Sequence, residues 1–344
     1  MMRIIFFNFL IFLIFLLIAE GVFGYWFSKE NFGSYMRKER NKNWKTEVDF
    51  NNKKYSFFYK RNFYGFRGEE FEPKDVKIIF EGGSTGNQRF TPEHLTIVGL
   101  LNKKFSLENI DLKIFNASTD GKSLRGYIND FLYWFPNIKN FKPKYVIFYL
   151  GINERFAEEI KEETYDLHFQ EKKIDRIKDY IKNNSFIYEK FIFIKNKYSP
   201  KNTNAYLLDN KNLYDQFTYI DYETANKLHK NILDENYDFI KKSRIKLSVL
   251  KKIIVKNDIV PIFITQVLFD GLKDQKLFLF NEEIKKFVIE NDYYIVNLDE
   301  VINMEKYDYY DEMHTTPKGS EKIANTIYPF LKDILIDKKE RYNN

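Results

Sequence analysis

The stretch Val76-Lys77-Ile78-Ile79-Phe80-Glu81-Gly82-Gly83-Ser84-Thr85-Gly86 decides how this chain is read: a short apolar run stops at a glycine-rich turn that presents a serine. Val76–Phe80 has the length and apolar content of a buried strand, and the Gly-Gly pair that follows ends it. Working outward, the runs Lys113–Phe115, Tyr145–Leu150, Ile259–Thr265 and Tyr293–Leu298 have the same strand-like character and are separated by helical stretches. Such alternation predicts a five-stranded parallel sheet covered by helices on both faces, an α/β layer fold.

In an open parallel sheet, ligands bind beyond the carboxyl ends of the strands, so the residues just after each run are the ones to inspect. Glu81-Gly82-Gly83-Ser84-Thr85-Gly86 follows the first run, Asn116-Ala117-Ser118-Thr119-Asp120-Gly121 the second and Gly151-Ile152-Asn153-Glu154 the third; Asp311-Glu312-Met313-His314 lies between the fifth and the last helix. A serine becomes a nucleophile only beside a base whose tautomer a third group fixes, and Ser84, His314 and Asp311 are the candidates. Three residues of separation on a turn bring Asp311 to the Nδ1 side of His314 and leave Nε2 for Ser84. Imidazole exchanges protons near neutral pH, as acyl transfer requires. The backbone amides of Ser84 and Gly121 and the side-chain amide of Asn153 are candidate oxyanion donors.

These four blocks, in this order, resemble the SGNH (GDSL-type) hydrolase superfamily over roughly Lys77 to Leu335, most sharply at the blocks themselves. The resemblance implies a three-layer α/β/α, flavodoxin-like fold with strand order 2-1-3-4-5 and a serine esterase or acyl-transfer site. Ser84 matches the nucleophile, Gly121 and Asn153 the two further oxyanion donors, and Asp311 with His314 the Asp-x-x-His pair. Asn62-Phe63-Tyr64-Gly65-Phe66-Arg67-Gly68 is similar to the lead-in of membrane-anchored bacterial members. Two positions depart from the pattern: Gly83 stands where the family often has Asp, and Glu154 where it often has Asp after the oxyanion Asn. Neither supplies a catalytic atom, and activity is expected to survive both.

The amino terminus carries a membrane signal. Ile4 to Ala19 is apolar except for Asn8, and Ile4 to Phe27 counts 24 residues, against the roughly 20 needed to cross a hydrocarbon core. Tyr25 and Trp26 stand where an interfacial aromatic belt would lie. Residues 1–27 are read as a membrane anchor, with a cleaved signal peptide as the alternative. Arg3 favours an inside start, Lys29, Arg37, Lys38 and Arg40 oppose it, and the catalytic domain is placed outside the cytoplasm. Residues 28–75 form a stalk that folds onto the main domain, with Val48-Asp49-Phe50 and Tyr55-Ser56-Phe57 flanking Asn51–Lys54 like a hairpin. The hydrolase-like domain covers 76–337 and contains a helical insertion at about 156–256, whose last part is a long amphipathic helix carrying Phe239, Ile240, Leu247, Leu250 and Ile254. Pro329 marks a kink or break in the final helix, and 338–344 is a polar tail.

With no cysteine in 344 residues, disulfides, thiolate metal sites and cysteine nucleophiles are excluded. The formal charge of +6 is spread among 55 basic and 49 acidic residues with no basic block, so nucleic acid is not an expected partner. The acidic residues have no metal-ligand spacing, and neither metal nor cofactor is invoked. His94, His168 and His229 are surface or structural. Gln266, at the end of the fourth strand, and Arg155, after the third block, are candidates to contact substrate, Arg155 alternatively pairing with Glu154. The function expected is a serine esterase acting on an acyl ester, foremost an O-acetyl group on an envelope carbohydrate. An O-acyltransferase with the same triad and a catalytically silent, membrane-tethered binding or assembly protein are the alternatives.

Overall fold

The structure, a computed structural model, describes residues 2–27, 36, 39–50, 53–156, 173–199, 201–204, 214–215, 217–230 and 236–341. The chain begins with helix α1 (Met2–Phe23), 22 residues with none buried, long and apolar enough to cross a membrane. A hairpin of β1 (Lys42–Phe50) and β2 (Lys53–Arg61) follows, with Phe50 paired to Lys53 across a two-residue connection. Then come β3 (Ile78–Gly82), the one-turn helix α2 (Ser84–Asn87), α3 (Ile97–Leu107), β4 (Ile114–Asn116), α4 (Leu124–Asn129) and β5 (Tyr145–Tyr149). The insertion holds α5 (Lys173–Asn184), α6 (Phe186–Tyr198), β6 (Lys201–Asn204) and α7 (Tyr222–Leu228). The chain closes with α8 (Tyr237–Lys256), β7 (Val260–Ile264), α9 (Gln275–Asn291), β8 (Tyr294–Val296), α10 (Leu298–Val301) and α11 (Pro317–Arg341).

Five strands form one parallel sheet in the order β4-β3-β5-β7-β8, the 2-1-3-4-5 order expected from the resemblance. Every residue of β3 and β5 is buried, as a strand covered on both faces must be. Helices α3 and α11 pack together on one side of the sheet, and α4, α8 and α9 on the other. The chain leaves β3 for one neighbour, β4, and then crosses to the other, β5. That reversal opens a crevice at the carboxyl end of β3, where the loops after β3, β4 and β5 converge.

Three features differ from the reading of the sequence. The insertion carries a strand, β6, which pairs in parallel with β1 and makes a second, three-stranded sheet β2-β1-β6. Its sequence, Lys-Asn-Thr-Asn, has little strand propensity, and backbone pairing to the exposed edge of β1 supplies what the side chains do not. Helix α11 runs unbroken through Pro329 to Arg341, which takes in the first part of the tail. Helix α1 ends at Phe23, so Tyr25 and Trp26 lie in the turn after it. His168 and 342–344 lie outside the described residues.

The hairpin is joined to the main sheet by buried charge. Arg61 is 1% exposed and donates to the carbonyls of Gly65 (2.8 Å) and Ser118 (2.8 Å), to Asn87 Oδ1 (3.0 Å) and to the Tyr59 hydroxyl (3.2 Å). Arg67 donates to the carbonyls of Asn87, Gln88 (2.7 Å) and Thr91 (2.6 Å), and to Glu93 Oε2 at 2.5 Å. Replacing Arg61 by Ala strands these acceptors in the interior, a loss of about 3–5 kcal/mol by the usual cost of breaking a buried charged network. A fall of several degrees or more in the melting temperature of the detergent-solubilised R61A protein is expected.

Candidate active site

The site is assembled where β3 ends. Gly83 closes the strand and α2 starts at Ser84; Gln88 then turns the chain back in a left-handed conformation (φ 48°). Between Asn297 and α11, the segment around His314 is pinned by a bridge between Tyr309 and Thr315 and by Tyr310 N–H donating to the His314 carbonyl at 3.0 Å. Gln88 ties the two segments together, its side-chain amide donating to Thr315 Oγ1 (3.0 Å) and Ser320 Oγ (2.6 Å). One residue beside the serine helix is thus bonded directly to the neighbour of the histidine.

The structure brings Ser84, His314 and Asp311 together. Asp311 Oδ1 accepts from the backbone amides of Met313 (2.9 Å) and His314 (2.7 Å), and Oδ2 lies 2.7 Å from His314 Nδ1. A carboxylate only accepts, so Nδ1 is the protonated nitrogen and Nε2 faces Ser84 as an acceptor, 2.7 Å from Oγ. Burial alone would raise the Asp311 carboxyl, but the bond to His314, the charge it can carry and the two backbone amides outweigh burial and hold it below the ordinary carboxylate value. Tyr310 stacks on the imidazole, ring centroids 5.6 Å apart and planes 12° from parallel. Tyr310 in turn packs against Phe50 of the hairpin at 5.3 Å, within a small cluster that includes Val48. The hairpin therefore backs the ring of the histidine.

Gly121 and Asn153 are delivered by the loops after β4 and β5. Gly121 has φ +77°, a conformation that favours glycine. Asn153 Nδ2 donates one hydrogen to the carbonyl of Lys122 at 2.7 Å, and the group has a second. The same nitrogen sits 2.2 Å from where a Cβ on Gly83 would be. Glycine at 83, the first departure from the family pattern, is what lets the Asn153 amide lie against the backbone preceding Ser84. Glu154, the second departure, is 2% exposed; it accepts from the Leu124 amide at 3.0 Å and pairs with Lys246 of α8. Its longer side chain reaches across to α4 and α8.

Arg155 pairs with Asp274 at 3.0 Å, the residue that caps α9, and not with Glu154. Gln266 is 2% exposed; its Oε1 accepts from the Ile152 amide (2.8 Å) and its Nε2 donates to Thr85 Oγ1 (3.0 Å). It links the first and third blocks, and its polar atoms are committed to that bracing. His229 is buried with Nε2 3.1 Å from the Leu272 carbonyl, a structural setting, while His94 is exposed. Sequence reasoning missed Gln88, Tyr310, Arg61 and Arg67. It also missed Lys122, buried with Nζ 3.2 Å from Glu81 and bonded to Asp130 beneath the serine loop. Burial, with Asp130 alongside, holds the Glu81 carboxyl well above the carboxylate range despite Lys122.

No family model and no curated protein matches the chain. Solved structures that it resembles include the psychrotrophic esterase EstA from Pseudoalteromonas sp. (12% identity, 76% of this chain and 99% of that one, TM-score 0.43). A member of the lipolytic G-D-S-L family from Veillonella parvula (13%, 75% and 98%, 0.40) and an acetylxylan esterase from Geobacillus stearothermophilus (13%, 76% and 94%, 0.41) also match. The chemistry of the site follows from the geometry above and not from these likenesses.

Two outcomes follow from this arrangement. In Gly83→Asp the new side chain displaces the Asn153 amide, and any activity that uses this donor should fall about 100- to 1,000-fold, as loss of one oxyanion donor does. Thermal melts across pH test Asp311. With its folded value depressed, its contribution to stability is complete above the unfolded value near 4 and is lost as pH falls through the lower folded value. Asp311→Asn should therefore flatten the acid side of the stability profile below about pH 4.

Proposed function

We propose that this protein is an SGNH-type serine esterase, held to a membrane by α1 with its catalytic domain outside the cytoplasm, that removes an acyl group from an envelope ester. The single observation that carries the reading is the continuous line Asp311 Oδ2, His314 Nδ1, His314 Nε2, Ser84 Oγ, with both contacts at 2.7 Å. Ser84 Oγ attacks the acyl carbon as its proton passes to Nε2 of His314. The imidazolium, stabilised by Asp311, returns that proton to the departing alcohol as the ester C–O bond breaks, leaving an acyl-serine. A water activated by His314 then attacks the same carbon, releasing the carboxylic acid and regenerating Ser84. The tetrahedral oxyanion in each half is received by the amides of Ser84 and Gly121 and by the second hydrogen of Asn153 Nδ2.

A domain tethered to the outer side of a membrane meets the esters of the envelope. The substrate we assign is accordingly an O-acetyl ester on an envelope carbohydrate.

The full-length protein in detergent should be labelled by a fluorophosphonate probe and should hydrolyse p-nitrophenyl acetate. Ser84→Ala should lose the label and about six orders of magnitude in kcat. Adding sugar acceptors separates water from a carbohydrate hydroxyl as the second substrate. A folded wild-type protein that neither labels nor turns over would overturn the esterase reading in favour of a membrane-tethered binding protein.

A further inference from the structure

Helix α1 is not isolated from the rest of the chain. Glu20, one turn from its end, accepts from the backbone amides of Phe186 (3.1 Å) and Ile187 (3.1 Å), and also from Ser185 Oγ and Trp26 Nε1 (2.9 Å). Ser185 and Glu20 together satisfy the first amides of α6, and a carboxylate at a helix amino terminus is electrostatically favoured. Tyr25 N–H donates to the Asn184 carbonyl at 2.8 Å, Phe23 packs on Phe186 at 5.2 Å, and Trp26 meets Tyr180 at 6.0 Å. The end of the apolar run is therefore bolted to the junction of α5 and α6. Glu20 is the first charged residue after Ile4–Ala19; sixteen helical residues rise roughly 24 Å, so it marks the level at which a span leaves the hydrocarbon.

The two helices held at that level expose apolar stripes. On α5, Ile177 and Ile181 are 54% and 49% exposed, and on α6, Phe191, Phe193, Ile194 and Tyr198 are 60%, 48%, 53% and 75% exposed. Phe191, Ile194 and Tyr198 recur at three and four residues, one face of a helix. The opposite face of α6 is engaged with the hairpin and the turn before it: Asn43 Nδ2 donates to the Asn196 carbonyl at 3.0 Å, and Glu189 lies 3.8 Å from Arg40. Residues 173–199 carry seven basic side chains against three acidic ones. Exposed aromatic and aliphatic residues interleaved with lysines are the composition of a helix that lies in a membrane interface, apolar face down and ammonium groups among anionic headgroups.

We infer that α5 and α6 lie on the same bilayer that α1 crosses, their exposed stripes in the headgroup–acyl boundary, with Glu20 fixing them there. This rests on the reading of α1 as a retained span. The arrangement has a consequence for the site. Strand β1 meets α6 at Asn43 and supports Tyr310 at Phe50, seven residues on, a rise of roughly 23 Å along an extended strand. The platform would hold the catalytic face at a set position relative to the membrane surface, where a tether alone would let it swing.

The chain has no cysteine, so single cysteines can be labelled without other changes. Full-length F191C, I194C, L13C and L107C proteins, each carrying an environment-sensitive nitrobenzoxadiazole, are reconstituted into phosphatidylcholine vesicles containing phosphatidylglycerol, with and without doxyl-labelled lipid. Leu107 is exposed at the end of α3 and serves as the aqueous control. The expected result is blue-shifted emission and severalfold stronger quenching at 191 and 194 than at 107, resembling position 13. Labels at 191 and 194 that behave like 107 while 13 is quenched overturn the platform and leave the anchor standing. Loss of quenching at 13 overturns the anchor, and the platform with it. Adding Glu20→Ala should weaken quenching at 191 and 194 but not at 13, and unchanged quenching there would remove Glu20 from the device.

Discussion

Two guanidinium groups buried beneath a one-turn helix hold this molecule together at its working end. Arg61 and Arg67 come from the hairpin and from the loop after it, and between them they take the carbonyls of Gly65, Asn87, Gln88, Thr91 and Ser118. A guanidinium removed from water is tolerated only when its donors are satisfied. A tight turn such as that after Ser84 leaves carbonyls that its own short helix cannot satisfy. Each solves the other's problem. The turn that presents Ser84 is therefore built jointly by β3 and the amino-terminal hairpin.

From that joint, the hairpin reaches the other half of the site. Val48 and Phe50 lie at its far end and pack on Tyr310, whose ring lies against His314. Gln88 closes the circuit by bonding to Thr315 and Ser320. The Ser84–His314 distance is thus held from both sides, by packing behind the histidine and by a side-chain bridge beside the serine. Two segments 230 residues apart in sequence are thereby held with their side chains at 2.7 Å by constraints that do not depend on each other.

The parts legible in the sequence were those with a pattern. Buried parallel strands read as apolar runs; Ser84, Gly121 and Asn153 stood out in the turns that follow three of them, and Asp311 and His314 as a spaced pair ahead of the last helix. Arg61, Arg67 and Gln88 were not legible, because side chains that bond to backbone carbonyls leave no spacing or pairing to recognise. Tyr310 was hidden among 25 tyrosines. β6 has no propensity signature, since its pairing is by main chain to an edge whose position depends on the folded hairpin. The bonds of the Gln266 amide to Ile152 and Thr85 were likewise not legible, since they join loops far apart in sequence.

The two departures from the family pattern become intelligible as local compensations. An aspartate at 83 would carry a Cβ into the space that Asn153 Nδ2 occupies, so glycine there and the inward seat of Asn153 are one feature seen twice. Glu154 is one methylene longer than aspartate, and that length is used: one oxygen reaches the Leu124 amide and the other the ammonium of Lys246. A carboxylate only 2% exposed needs partners on both oxygens, and α8, which belongs to the long segment between β5 and β7, provides one of them. The segment that appeared to be an addition to the fold thereby holds the loop that carries Asn153.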